Sequence, residues 1–239
     1  MNIILYTIVF MIGIAVGAFW DIKASEIPKS LDMKKIYYSN KKNEEKMSTI
    51  TYITIGGISS VILANVLEIH EFDFIKPIIY VFAMLYISAL VLIAGIDRNY
   101  LKIEKRVLAF GIISSIVYMV YLCAIDLASI HLNIIYLAIY MILLIIDSFL
   151  LRRYAKDSYI INSLLLLTMI LVFTDLRTLA YTSVMAIVAI ALYALILKLQ
   201  QKKNGNKKIE IRKMPIGYFI AASNIIVLFM IRIFENYCI

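Results

Sequence analysis

Basic residues in this chain are concentrated in four short stretches that separate long apolar segments, and this pattern limits the available folds more than any other feature. Twenty-one of the 24 Lys and Arg fall in residues 21–48, 97–106, 147–157 and 198–213, leaving only Lys76, Arg177 and Arg232 outside them. Eight apolar segments alternate with the charge, at approximately 3–20, 49–67, 75–96, 107–125, 132–150, 159–175, 178–198 and 214–234. Each can cross about 30 Å of hydrocarbon at about 1.5 Å per residue. With 63% hydrophobic residues, the 239-residue chain has too little polar surface to cover a soluble core. The expectation is an all-α, polytopic membrane protein of about eight transmembrane helices, packed as a single bundle over 1–239. The first segment reads as a span and not a cleaved signal, because no basic region precedes it and no small-residue site ends it.

Cytoplasmic loops retain Lys and Arg, so the four basic stretches predict their own side of the bilayer. Residues 21–48 and 198–213 are then the long cytoplasmic loops, and an even span count places both termini outside. The acidic connection Glu68-Ile69-His70-Glu71-Phe72-Asp73 falls outside by the same alternation. A net charge of +8 confined to such loops is accounted for by topology, so membrane lipids are the expected partners and nucleic acid is not. Cys123 and Cys238 stand far apart with no CxxC, and His70 and His131 are isolated, so no metal site is indicated.

Carboxylates near an apolar layer cost free energy and need an account. Asp126 and Asp175 sit at external helix ends, where water solvates them. Asp147 lies one to two turns inside its span and suits pairing with Arg152 or Arg153. Asp97 closes the third span and Asp157 opens the sixth. One helical hairpin separates them, so both return to the same boundary. Two carboxylates brought together there share a proton. One then acts as base on a water while the other protonates a carbonyl oxygen, which is aspartic protease chemistry and needs no cofactor. The plainer reading of both residues is as helix-end groups, with Asp157 favoured at a helix N-terminus.

Four blocks resemble the type IV prepilin peptidases, a family of intramembrane aspartic proteases. Gly17-Ala18-Phe19-Trp20-Asp21 followed by Ile27-Pro28 is similar to the family's opening G-S-F-L-N block. Ile96-Asp97 followed by Ile103 is similar to its first catalytic Asp and the apolar-Pro pair after it. Asp157, 60 residues on, stands where the family has the Asp of its G-x-G-D motif. Met214-Pro215-Ile216-Gly217-Tyr218-Phe219-Ile220-Ala221 is similar to the entry of the last span. The resemblance implies catalytic roles for Asp97 and Asp157, and pilin-like or pseudopilin precursors as substrates. Their basic leaders would be cut at the cytoplasmic face of a bacterial inner or cytoplasmic membrane.

The chain departs from the family pattern at several points. Tyr154-Ala155-Lys156 replaces the motif glycines, Tyr159 replaces a Lys, Glu104 stands where a proline follows Ile103, and the zinc-binding CxxC segment is absent. The larger cytoplasmic segment is also missing and no nucleotide-binding motif is visible, so methylation of the product is not expected. Asp21 with its intact Ile27-Pro28 offers a second register, in which Asp21 and Asp97 form the pair. A non-cleaving member that binds pilin-like helices or scaffolds a pilus or secretion apparatus, and an unrelated small transporter using Asp97, Asp147 and Asp157, remain alternatives.

Overall fold

The computed structural model describes residues 2–29, 48–67, 75–125, 158–204 and 214–237, with isolated positions at 134–135, 138–139 and 141–142. Among the described residues there is no strand, and seven helices follow one another: α1 (Asn2–Lys29), α2 (Thr49–Val66), α3 (Ile75–Tyr100), α4 (Lys105–Ile125), α5 (Ser158–Phe173), α6 (Leu176–Asn204) and α7 (Ile216–Tyr237). Each coincides with one expected span, while the expected span at 132–150 falls largely outside the described residues. Stretches of α1, α2, α3, α4 and α6 are long and apolar enough to cross a membrane. In α5 and α7 the apolar stretches are shorter, Ile160–Phe173 and Ile216–Ile231. The protein is all-α and built for a membrane.

Helix boundaries differ from the hydropathy pattern in one direction. α1 continues to Lys29, and α6 continues to Asn204 through Leu199, Gln200, Gln201, Lys202 and Lys203, so both long polar connections begin as helix. Such residues are good helix formers, and Lys23 pairs with Glu26 one turn on at 2.7 Å. Hydropathy marks where an apolar layer ends, whereas backbone hydrogen bonding carries on past it. For the same reason α3 runs beyond residue 96 to Tyr100, which places Asp97 inside a helix.

α3 is the axis of the bundle. It packs against α1, α2, α4 and α7, and every residue from Ala89 to Asp97 is buried. A helix surrounded on all sides needs apolar residues on all faces, and Leu90-Val91-Leu92-Ile93-Ala94 supplies them. α7 in turn touches α2, α3, α5 and α6. Where these inner helices meet, the Tyr86 hydroxyl donates to Asn224 Oδ1 at 2.7 Å and Asn224 Nδ2 donates to Thr182 Oγ1 at 3.0 Å. The Tyr86 ring stacks on Phe173 with centroids 3.8 Å apart. These bonds tie α3, α7 and α6 together at a depth where an unmet polar group is costly.

α1 and α2 are held by glycine. Gly13 and Gly56 face each other so closely that a Cβ on either would run into the other's carbonyl oxygen, and a Cβ on Gly17 would lie 2.5 Å from the Tyr52 carbonyl. Gly13 and Gly17 are one turn apart on one face of α1, the spacing that lets membrane helices approach at backbone distance. Ser60 extends the contact by donating to the Val9 carbonyl at 2.7 Å.

Asp175 begins α6. The Thr178 N–H donates to Asp175 Oδ1 at 2.7 Å, an N-cap that satisfies one otherwise unpaired amide. Asp175→Ala is expected to lower the unfolding free energy by about 1 kcal/mol, and Asp175→Asn by much less. Thermal unfolding of the two variants side by side checks this.

Candidate functional site

One end of the bundle gathers several of the residues singled out by the sequence. The last turns of α1 and α3 meet there with the first turns of α2, α5 and α7 and the α3–α4 connection, as four contacts show. Thr49 Oγ1 donates to Asp21 Oδ2 at 2.9 Å. The Tyr52 hydroxyl lies against the backbone of Gly95, where a Cβ would collide with it. Asn162 Nδ2 donates to the Ile103 carbonyl at 3.1 Å. The Tyr218 backbone N–H donates to Asp97 Oδ2 at 2.9 Å.

Asp97 is the centre of this end. It is wholly buried, at the start of the last turn of α3. Its carbonyl accepts the Leu101 N–H at 2.8 Å, and Leu101 turns the chain with φ 51°. That left-handed residue ends the helix in the manner usually left to glycine. The connection continues to Ile103, which is fully buried, and Glu104, which is nearly so.

The carboxylate meets α7 at its N-terminus. Pro215 opens that helix with a fixed φ and no side-chain acceptor. The Ile216 N–H turns back to the Met214 carbonyl at 3.0 Å, and the Phe219 N–H reaches the Pro215 carbonyl at 3.3 Å. Asp97 supplies from another helix the acceptor that an Asp or Ser at the cap would give. Gly217 makes the approach possible, since a Cβ there would lie 3.0 Å from Asp97 Oδ2 and 2.8 Å from Ile103 Cγ1. Arg98, next in sequence, stacks over the Tyr218 ring at 5.4 Å.

Of the expected catalytic pair, Asp97 is thus placed and Asp157 lies outside the described residues. Asp157 immediately precedes α5, whose Asn162 reaches Ile103, six residues beyond Asp97. Asp21 is directed to Thr49, across the α1–α2 interface, whereas Asp97 is directed to α7. Asp126, Asp147, His70, His131 and Cys238 also fall outside the described residues. Among those described, no cluster of three or more His, Cys, Asp or Glu is arranged to hold a metal.

Sequence reading missed Thr49, Tyr52, Arg98 and the docking role of the Tyr218 amide. Backbone amides carry no sequence signature. Tyr52 and Thr49 resemble many other polar residues near the start of a span. No family model matches the sequence, and neither a curated protein nor a solved structure shows significant similarity to it.

Proposed function

We propose that the protein is an intramembrane aspartic endopeptidase that removes the leader of type IV prepilin-like precursors at the cytoplasmic face. The observation that carries this reading is Asp97, a wholly buried carboxylate between apolar helices, which is retained against a cost of a few kcal/mol. Around it lie Ile103 and the Met214-Pro215-Ile216-Gly217-Tyr218 turn, two stretches with the resemblance to prepilin peptidases. Asp157 is its proposed partner. One carboxylate takes a proton from a water whose oxygen attacks the scissile carbonyl carbon. The other gives its proton to the carbonyl oxygen, and the resulting diol collapses as the amide nitrogen is protonated and leaves. A substrate helix reaches such a site from the side and must unwind to present its carbonyl.

The accompanying topology is eight spans with both termini outside. Cysteines substituted near Glu71 are expected to react with an impermeant thiol reagent added outside, and those near Lys42 and Lys207 are not. Reaction at Lys207 would remove the common face assigned to Asp97 and Asp157.

A non-cleaving relative that binds pilin-like helices is the second reading. The bond from Tyr218 to Asp97 favours it, because docking α7 is a sufficient structural use for a buried carboxylate. Co-expression with a prepilin decides between them. The peptidase converts precursor to mature pilin and loses that ability in Asp97→Asn and Asp157→Asn alike. The scaffold binds the precursor and leaves its length unchanged.

A further inference from the structure

Two buried hydrogen-bond donors at the same end of the bundle have no partner among the described residues. Trp20 Nε1 and the Tyr52 hydroxyl make no hydrogen bond among the described residues, although their side chains are 0% and 1% exposed. Leaving a buried donor unmet costs about 1–3 kcal/mol, so each calls for a reason. They stand close in register. Gly17 packs on the Tyr52 carbonyl, and Trp20 follows Gly17 by three positions on the same face of α1. Tyr52 presents its hydroxyl to α3 at Gly95, whose missing Cβ makes the room.

The chemistry wanted there is an acceptor. Indole N–H donates only, and a phenol with no acceptor in reach has its own proton to give. Backbone carbonyls of an unwound peptide are neutral acceptors, and they lack partners in an apolar layer. Gly95 and Asp97 are two residues apart, so they face nearly opposite sides of α3. Since α3 continues to Tyr100, a peptide joining the two faces passes round half of a helix about 10 Å wide, a path of about 16 Å or about five extended residues of about 3.3 Å each.

We infer that Trp20 and Tyr52 form a subsite that hydrogen-bonds backbone carbonyls of the substrate peptide about five residues from the bond attacked at Asp97. The inference rests on the proposed peptidase reading for its substrate. The peptide enters between the α1–α2 pair, joined through its glycines, and α3. Its carbonyls take the two donors left unmet among the described residues.

The test uses the full chain in lipid nanodiscs, carrying Asp97→Asn so that bound peptide is not consumed. The probe is a fluorescent synthetic peptide with a basic leader and the first turns of an apolar helix, read by anisotropy. Tyr52→Phe removes only the hydroxyl. It is expected to raise Kd about fivefold to tenfold, the worth of one hydrogen bond, and to leave the thermal midpoint unchanged or higher because an unmet group is gone. Gly95→Ala displaces the hydroxyl and is expected to weaken binding in the same direction. An unchanged Kd in Tyr52→Phe overturns the subsite, as does a midpoint lower by several degrees, which means the hydroxyl already had a partner. Absence of peptide binding before any subsite substitution overturns it too. Cleavage is scored separately with Asp97 intact. Peptide that binds through Tyr52 without being cut removes the peptidase and keeps the subsite. Peptide that is cut yet binds Tyr52→Phe normally removes the subsite alone.

Discussion

Asp97→Asn is expected to abolish leader cleavage, by about 10²–10⁴-fold as for loss of a general acid or base, while the chain stays folded and membrane-inserted. Asparagine matches aspartate in volume, and its Oδ1 still accepts the Tyr218 N–H now bonded at 2.9 Å. What it lacks is a titratable oxygen. Asp97→Ala makes the complementary change. It leaves the Tyr218 amide unmet at a buried helix start, which costs about 1–3 kcal/mol, and removes the carboxylate as well. The two variants therefore separate chemistry from capping. Equal stability with cleavage lost in Asp97→Asn identifies a catalytic carboxylate. If Asp97 served only to dock α7, Asp97→Asn would process substrate like the wild type, and Asp97→Ala alone would suffer. Cleavage of a co-expressed prepilin, read beside thermal unfolding of the purified variants, distinguishes these outcomes.

The second large effect concerns the fold. Gly56→Val is expected to destabilise the protein by about 3 kcal/mol or more, at or beyond the usual range for overpacked cores. The obstruction is backbone, which has no rotamer to escape into: a Cβ at Gly56 meets the Gly13 carbonyl and lies 3.0 Å from the Gly17 Cα. α1 and α2 must separate, and the bond from Ser60 to the Val9 carbonyl and that from Thr49 to Asp21 lengthen with them. Gly57→Ala meets only the Phe10 ring, at 2.6 Å, which can turn aside, so it is expected to cost less. Thermal midpoints of the pair, with protease sensitivity of the 21–48 connection, measure the difference.

Helix positions were legible because length and hydropathy are one-dimensional properties that a membrane makes decisive. Seven helices came through with their order and approximate limits, five of them long and apolar enough to cross a membrane. Their ends were less legible, since α1, α3 and α6 continue as helix past their apolar stretches. For Asp97 this matters, because a residue expected to close its span lies inside α3 and is wholly buried. The partners of each helix were not legible either. Gly13-Ile14-Ala15-Val16-Gly17 shows the small-residue spacing of a close helix pair, yet nothing in it says that Gly56 is the mate. The chain Tyr86–Asn224–Thr182 joins residues 138 and 42 positions apart, and only packing connects them. At the candidate site, Asp97 and the Met214-Pro215-Ile216-Gly217 turn were both singled out from sequence. That the carboxylate of one holds the helix begun by the other was not, since an amide and a carboxylate leave no pattern that pairs them.

If Asp97 and Asp157 form one site, the two positions lie close together in the membrane-embedded protein, and cross-linking measures that proximity. In a chain with Cys123 and Cys238 replaced by serine, Asp97→Cys and Asp157→Cys are combined and treated with a short bifunctional thiol reagent, whose reach exceeds the about 7 Å Cα limit of a direct disulfide. Ile103→Cys with Asn162→Cys serves as the reference pair, since the parent side chain and carbonyl are 3.1 Å apart. An internal cross-link between positions 97 and 157 is expected to form as efficiently as in the reference pair. A reference pair that links while 97 and 157 do not would contradict it.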